Sequence, residues 1–387
     1  MKLALLTAYP PSKVTLNEYG YHLAKNFVLH ESISQLTLLT DKTKEPKQLD
    51  FPNKEKIQIK ECWKFNSYFS FFTVINAVRQ VKPDYILFNL QFVKFGDKKI
   101  PSAMGLLLPM FLRLMGYKNV VLLHNILEQV DLEKAGFTSS KTMQKIYNFI
   151  GTNLTRCLLK SNKLVVTIQK YVEVLQDKYK SKNIIQIPHG SFESIKNPDF
   201  EDKSGSKKVM AFGKFGTYKK VEILIEAVEM VRKTTSETIE VIIAGTDSPN
   251  TPGYLESVAE KYKEVPNLIF TGYVEENDVE RIFTESTIVV FPYTSTTGSS
   301  GVLHQAGSYG KAVVLPDLGD LALLIKDEGY RGEFFNPESK ESLAQAISKI
   351  LSNNAYRKEL AIANFEAANA LSMDKIIDQY IACFKSI

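Results

Sequence analysis

The chain is short of cysteine and has no long apolar run, and each shortage removes a class of protein. Its 387 residues hold three cysteines, Cys62, Cys157 and Cys383, scattered and without CxxC spacing. That excludes a disulfide framework and a cysteine-based zinc site. No apolar run reaches the roughly 18 residues that span a bilayer. The opening MKLALLTAYPP has an apolar core of only about six residues and no small-residue cleavage site after it, so it reads as a first buried strand rather than a signal peptide. A cytoplasmic protein is the expectation. There is no tandem repeat of 20–50 residues and no low-complexity tract.

What is present is an ordinary folding composition, 44% hydrophobic and 24% charged, in a chain long enough for two domains. Net charge is only +5, but it is unevenly spread. Residues 1–190 carry 27 Lys/Arg against 14 Asp/Glu, and residues 191–387 carry 21 against 29. A basic first half suits an anionic surface, either a membrane or a phosphate-bearing acceptor, or else is a solvated lysine-rich face. Nothing in the pattern calls for nucleic acid.

Apolar strands alternate with helix-like stretches throughout. In the first half the strands are Leu3–Thr7, Leu36–Thr40, Tyr85–Leu90, Val120–His124, Leu164–Thr167 and Ile184–Ile187. Amphipathic helices such as Glu18–His30 and Phe72–Val81 lie between them, the latter stopping before Lys82-Pro83. Residues 191–208 are polar and read as a linker. A second series runs from Val209 to Leu315, followed by helices to the end. The alternation predicts two parallel sheets covered on both faces, with ligands beyond the carboxyl ends of the strands and a cleft between the domains. In the last helix, Ile376, Ile377, Tyr380, Ile381 and Phe384 form one apolar stripe that must be buried.

The most informative stretch is Ile288–Asp317, IVVFPYTSTTGSSGVLHQAGSYGKAVVLPD. A strand enters a Thr/Ser/Gly loop, and a small-residue helix opens at Gly298-Ser299-Ser300-Gly301. Free backbone N–H groups at a helix start, with no bulky side chain over them, make a seat for phosphate. The same residues also suit a close-packed strand–helix connection.

Taken in order, these motifs resemble a retaining glycosyltransferase of the GT-B fold, close to glycosyltransferase family 4 (group 1). The resemblance implies two Rossmann-like doubly wound parallel-sheet domains facing across a cleft. The acceptor domain would be residues 1–190 with the helix at about 372–387 crossing back, and the donor domain 209–371. Met210–Phe215 and Tyr218–Ala227 are similar to the family's strand, basic pair and helix. Lys214 stands where arginine is usual, and Lys219 matches the lysine that holds the donor diphosphate. The resemblance makes both catalytic, since cations beside a diphosphate stabilise the charge of bond breaking. Gly213 is the strand glycine, and Tyr273 and Val274 would lie against the nucleobase. Thr297, Gly298, Ser299, Ser300, Gly301, Val302 and Gln305 would complete the donor site. Thr297 and Gln305 occupy the two positions where the family usually has glutamate. His304, beside Gln305, reads as structural.

In the first half, Leu122-Leu123-His124-Asn125 resembles the family's strand-end histidine at the donor sugar, which makes His124 a third catalytic candidate. Asn17 and Asn125 fall on the acceptor side. The implied reaction moves a sugar from a nucleoside diphosphate sugar to a glycan, lipid-linked or protein acceptor, with retention of configuration. No DxD or paired carboxylate for a catalytic metal stands near these motifs, so neither metal nor cofactor is expected. Two alternatives stay open: a catalytically inactive GT-B partner or binding subunit, and a GT-B sugar-nucleotide epimerase. Residues 100–117, IPSAMGLLLPMFLRLMGY, flanked by Lys98, Lys99 and Lys118, read either as a membrane-docking amphipathic helix or as a buried helix interrupted by Pro109.

Overall fold

A computed structural model describes residues 1–47, 49–126, 128, 140–192, 198–201, 205–248, 251–295 and 300–387. The chain divides into two compact units, Met1–His189 with Met373–Ile387, and Gly190–Ser372. The stretch read as a linker falls within the second unit, whose first strand begins inside it at Lys207.

In the first unit the elements are β1 Lys2–Leu6, α1 Asn17–Leu29, β2 Gln35–Asp41, β3 Ile57–Trp63, α2 Ser70–Val81, β4 Tyr85–Leu90, α3 Lys99–Leu114, β5 Asn119–Leu123, α4 Lys141–Leu158, β6 Lys163–Val166, α5 Gln169–Tyr179 and β7 Ile184–Gln186. The second unit runs β8 Lys207–Phe215, α6 Glu222–Arg232, β9 Ile239–Asp247, α7 Tyr254–Lys261, β10 Leu268–Gly272, α8 Glu276–Glu285, β11 Ile288–Val290, α9 Gly301–Ser308, β12 Ala312–Pro316, α10 Gly319–Glu328, β13 Gly332–Phe335, α11 Lys340–Leu351 and α12 Asn354–Ala370. The final helix, α13 Met373–Lys385, belongs to the first unit.

Both sheets are wholly parallel, ordered β3-β2-β1-β4-β5-β6-β7 and β10-β9-β8-β11-β12-β13. Helices cover both faces of such sheets, so their central strands carry continuous apolar runs instead of alternation. Leu3–Leu6, Val120–Leu123 and Val313–Leu315 are accordingly buried along their whole length. The strands hard to see in the sequence are β3 and β13. Both lie at sheet edges, where one side is solvated and residues such as Lys60, Glu61 and Glu333 break the apolar run.

Local signals set several helix ends. Lys82 takes a left-handed conformation (φ 47°) immediately before Pro83, which stops α2. Ser140, Ser339 and Asn353 cap α4, α11 and α12 by accepting from backbone N–H groups. The apolar stripe of α13 packs on α1 and β4: Phe384 stacks on Tyr85 with ring centroids 5.4 Å apart, and Phe27 lies 6.0 Å from Tyr380. Each such side chain, fully buried, contributes roughly 1.5–3 kcal/mol.

Candidate functional site

In the second sheet the chain goes from β8 outward one way through β9 and β10, then the other way through β11, β12 and β13. The turns after β8 and β11 therefore part company, leaving a crevice at the carboxyl edge between them. The turn after β8 folds back and pairs with the segment leaving β11. Lys220 N donates to Pro292 O at 3.0 Å, Thr294 N donates to Tyr218 O at 2.8 Å, and Lys219 bridges Tyr293.

That pairing sets the Lys219 ammonium over the Tyr293 ring, 4.6 Å from its centroid, with Tyr218 at 5.9 Å. Burial pulls the Lys219 pKa down, against an opposing pull from Tyr218. Among the described residues no carboxylate pairs with it, so the site holds a partly desolvated cation on an aromatic face. Gly213 makes the room: its φ is 130°, and a Cβ there would lie 2.9 Å from Lys219 Nζ. Its neighbour Gly245 (φ 139°) would bring a Cβ within 1.9 Å of Gly213 O, so the two strand ends touch backbone to backbone. Lys214 is exposed, and its side chain has no bonding partner among the described residues.

Tyr293 also connects the lysine to the start of α9. Burial raises its phenol, and Ser300 is close enough to counter that push. Among the described residues its hydroxyl makes no hydrogen bond of full geometry. Ser300 is the N-cap of α9 without using its side chain, and the first backbone bond of the turn is Leu303 N to Ser300 O at 3.0 Å. Gly301 and Val302 therefore begin the helix with their N–H groups ahead of that bond, at the positive end of the helix dipole. Thr297, Gly298 and Ser299 lie outside the described residues. Gln305 is half-buried and its side chain has no partner among the described residues. His304 faces inward, with Nδ1 2.9 Å from Tyr330 Oη and Nε2 3.5 Å from Glu328, whose carboxyl burial pushes up to about 8.

The base-facing candidates sit further along the same edge. Gly213 is in register with Gly245, and Gly245 with Gly272. Two strand spacings put Gly272, the residue before Tyr273, roughly 10 Å from Gly213. Tyr273 is 65% exposed, and Val274 is half-buried beside it. Gly213, Lys219, Ser300, Gly301 and Val302 thus form one group, with Tyr273 and Val274 at its far end. The sequence reading missed Tyr293, whose place is visible only once residues 218–220 pair with residues 292–294.

The first unit has its own crevice, between β1 and β4. His124 follows β5, and its Nε2 lies 2.6 Å from Asn89 Oδ1. Asn89 Nδ2 donates to Thr7 Oγ1 at 2.9 Å, and Thr7 Oγ1 donates to Ala8 O at 2.8 Å. Tyr19 stands edge-on to His124 at 4.8 Å and donates to His189 O at 2.9 Å. Burial holds the His124 pKa well below its ordinary value, helped by His189 and Lys94. Of the acceptor-side candidates, Asn17 spends its amide on Ser12 O at 2.8 Å, tying α1 to the preceding loop. Asn125 Oδ1 is buried with no hydrogen bond among the described residues.

Sequence reading missed Asn89, Thr7 and Lys94. The signal for Asn89 was a polar residue inside the otherwise apolar strand YILFNL. Lys94 is fully buried, donates to Thr15 O at 2.8 Å and is pushed down to about 7 by burial, against an opposing pull from Asp41. Among the described residues, no three His, Cys, Asp or Glu side chains gather as a metal site.

A third feature is an apolar face over α2, α3 and α4. Helix α3 buries Pro101, Gly105, Leu106, Leu108 and Leu112 and exposes Ile100, Phe111 and Leu114, so it shares in both readings of that segment. Phe71 joins α2 to Phe111 at 5.2 Å, and Lys99 lies over the Tyr147 ring of α4 at 4.9 Å. Phe69, Leu114 and Phe149 are 74%, 77% and 71% exposed. Among the described residues, no helix is long and apolar enough to cross a membrane.

Comparison with solved structures gives the architecture a name. Sucrose-phosphate synthase from Thermosynechococcus elongatus superposes with a TM-score of 0.75 at 15% identity, covering 100% of this chain and 98% of that one. Anabaena HepE, solved in complex with UDP-glucose, gives 0.70 at 14% identity with full coverage of both chains. WaaG, a glycosyltransferase involved in lipopolysaccharide biosynthesis, gives 0.66 at 15% identity, covering 98% of each. The fold is GT-B. Within it, residues 206–353 match the family described as Glycosyl transferases group 1. Two Methanocaldococcus jannaschii proteins, both described as uncharacterized glycosyltransferases, are 24% identical over 181 residues and 27% identical over 232 residues. The first alignment covers 46% of this chain and 45% of its relative, the second 57% of each, so the chain spans about half the length of the curated relatives it matches.

Proposed function

We propose that this protein is a retaining, metal-independent glycosyltransferase of family 4. It would move a hexosyl group from a nucleoside diphosphate sugar to a glycan, glycolipid or glycoprotein acceptor in the building of a surface polysaccharide. The observation that carries the reading is the Lys219 ammonium, half-buried over Tyr293 and Gly213 with no carboxylate partner among the described residues, beside the start of α9. A cation in that condition gains most from an anionic ligand, and a diphosphate has the charge for it. The group 1 match over residues 206–353 and the UDP-glucose complex of Anabaena HepE agree with that ligand class.

The chemistry follows from the charges. As the bond between the anomeric carbon and the phosphate oxygen breaks, negative charge grows on the diphosphate. Lys219, Lys214 and the first N–H groups of α9 stabilise it in place of a divalent cation. The acceptor oxygen bonds to the same face of the anomeric carbon, and its proton passes to the departing phosphate. No protein nucleophile is required. Tyr273 and Val274 would carry the nucleobase, and Gln305 would hydrogen-bond the ribose diol. His124, in the first unit, is proposed as a further catalytic residue.

The apolar face of α2–α4 is proposed as the docking surface for an anionic membrane from the cytoplasmic side. Its rim supplies the complementary charge in Lys98, Lys99, Arg113, Lys141 and Lys145, all exposed. Flotation with vesicles containing phosphatidylglycerol should carry the protein upward, and Leu114→Asp with Phe149→Asp should leave it at the bottom. Wild-type protein that stays down removes the docking reading.

The first test is a thermal-shift screen of UDP-, GDP-, ADP- and CMP-sugars. One class should stabilise the protein, and Lys214→Ala and Lys219→Ala should abolish the shift. With that donor, sugar release or transfer distinguishes an enzyme from a binding subunit, the rival that rests on Thr297 and Gln305 replacing the usual glutamates.

A further inference from the structure

The bonds around His124 determine where its ring proton resides. Ala8 O can only accept, so Thr7 Oγ1, 2.8 Å away, spends its hydrogen there. The Asn89 atom 2.9 Å from Thr7 Oγ1 must then donate, which makes it the amide nitrogen. The other end of the amide is therefore Oδ1, an obligatory acceptor, and it faces His124 Nε2 at 2.6 Å. Nε2 must carry the hydrogen. Each step uses only the donor and acceptor capacity of the groups, so no freedom is left to flip the amide or swap the tautomer.

The remaining surroundings keep the ring neutral and still. Tyr19 packs edge-on at 4.8 Å and His189 lies 5.8 Å away, while Lys94 and His189 both disfavour a positive charge. Thr7 and Asn89 are fully buried, whereas His124 is partly exposed. No described residue bonds its Nδ1. The relay also spans the crevice between β1 and β4, since Thr7 leaves one strand and Asn89 lies near the end of the other.

We infer that the Thr7–Asn89 relay locks His124 as the neutral Nε2–H tautomer, so that its Nδ1 lone pair accepts a hydrogen bond from a substrate hydroxyl. Asn89 and Thr7 are positioning residues in this scheme. The lone pair suits a neutral sugar hydroxyl and repels a carboxylate presented at the same place. Only the identity of the hydroxyl's owner rests on the glycosyltransferase reading. The tautomer is a property of the free protein.

Long-range 1H–15N correlation spectra of histidine-labelled full-length protein at pH 7.5 test the lock without any substrate. The chain has five histidines, so His124→Gln identifies the signal by its loss. The expected pattern is a protonated Nε2 and an unprotonated Nδ1. Thr7→Ser should keep it, while Thr7→Val should mix the tautomers. Asn89→Asp preserves the side-chain volume, and its carboxylate should raise the His124 pKa and make the ring titrate. An Nδ1–H tautomer in the wild type, or an unchanged ring in both Thr7→Val and Asn89→Asp, overturns the inference. With an active donor, Thr7→Val should lower kcat about tenfold and leave nucleotide affinity unchanged. Equal kcat in Thr7→Val and wild type overturns the substrate contact, even where the tautomer is confirmed.

Discussion

Lys219 Nζ lies 2.9 Å from the point where a Cβ on Gly213 would stand, so the cation occupies the space that the glycine leaves empty. Strand end and ammonium form one surface, further closed by the backbone of Gly245 against Gly213 O. Gly213→Ala should therefore displace the ammonium and strain a residue at φ 130°. We expect stability to fall by about 1–2 kcal/mol and nucleoside diphosphate affinity to fall well beyond that change. Isothermal titration alongside denaturant melts separates the two effects, and full affinity in Gly213→Ala would refute the shared surface.

Lys219→Met tests the charge alone. Burial works against the ammonium in the free protein, so the variant should be at least as stable as wild type without ligand. Catalytic efficiency should drop about 100-fold or more, as when one preorganised charge-stabilising group is removed. Loss of stability together with preserved activity would assign Lys219 a structural role.

Gly20 on α1 is a second close approach. A Cβ there would sit 2.4 Å from both Ala8 O and Thr7 Oγ1. Gly20→Ala should push α1 off the end of β1 and cost about 2 kcal/mol or more, as overpacking does. It should also disturb the His124 signal, since Thr7 is part of the relay. Unchanged stability in urea melts would show that α1 moves freely.

Acid should weaken the first unit at pH values where most proteins are at their best. Burial pushes His22 down to about 3 and holds His124 well below its ordinary value. In the unfolded chain both take up protons below about 6.5. The unfolded state then binds more protons than the native one, so stability is full above about pH 7 and is lost as pH falls toward 3. The slope approaches 1.4 kcal/mol per pH unit for each histidine. Urea midpoints at pH 7.5 and 5.5 should differ clearly, and His22→Gln should reduce the difference. Identical midpoints would contradict the neutral, buried state of these rings.

Lys94 predicts the opposite flank. Its native pKa near 7 lies well under the 10.4 of an unfolded lysine, so between those values the unfolded chain binds the extra proton. Stability should rise with pH across that interval, and Lys94→Met should flatten the rise. At pH 7 the variant should match or exceed wild type, because the lost bond to Thr15 O is offset by removing a buried charge. A variant several kcal/mol less stable at pH 7 would show that the ammonium is well compensated where it lies.

The two parallel sheets were legible from Val120–Leu123 and Val313–Leu315, because strands buried on both faces must be apolar throughout. Gly213, Lys219 and His124 were legible as candidates through the resemblance of their surrounding motifs to the glycosyltransferase family. The edge strands β3 and β13 were not, since half-solvated strands keep their charges. Nor was the role of Tyr293, which depends on two turns far apart in sequence pairing with each other.

The sequence alone determined the alternation of strand and helix, and so the layered α/β class, through the periods at which apolar residues recur. It also determined which small and basic residues end up at strand termini. Tertiary structure alone decided that Lys219 has an aromatic floor and, among the described residues, no carboxylate partner. It likewise decided that His124 is tethered through Asn89 to Thr7, which is 117 positions earlier in the chain. Hydrogen-bond direction and burial are properties of neighbours in space, and in a parallel sheet those neighbours are brought together by crossovers that no local pattern encodes.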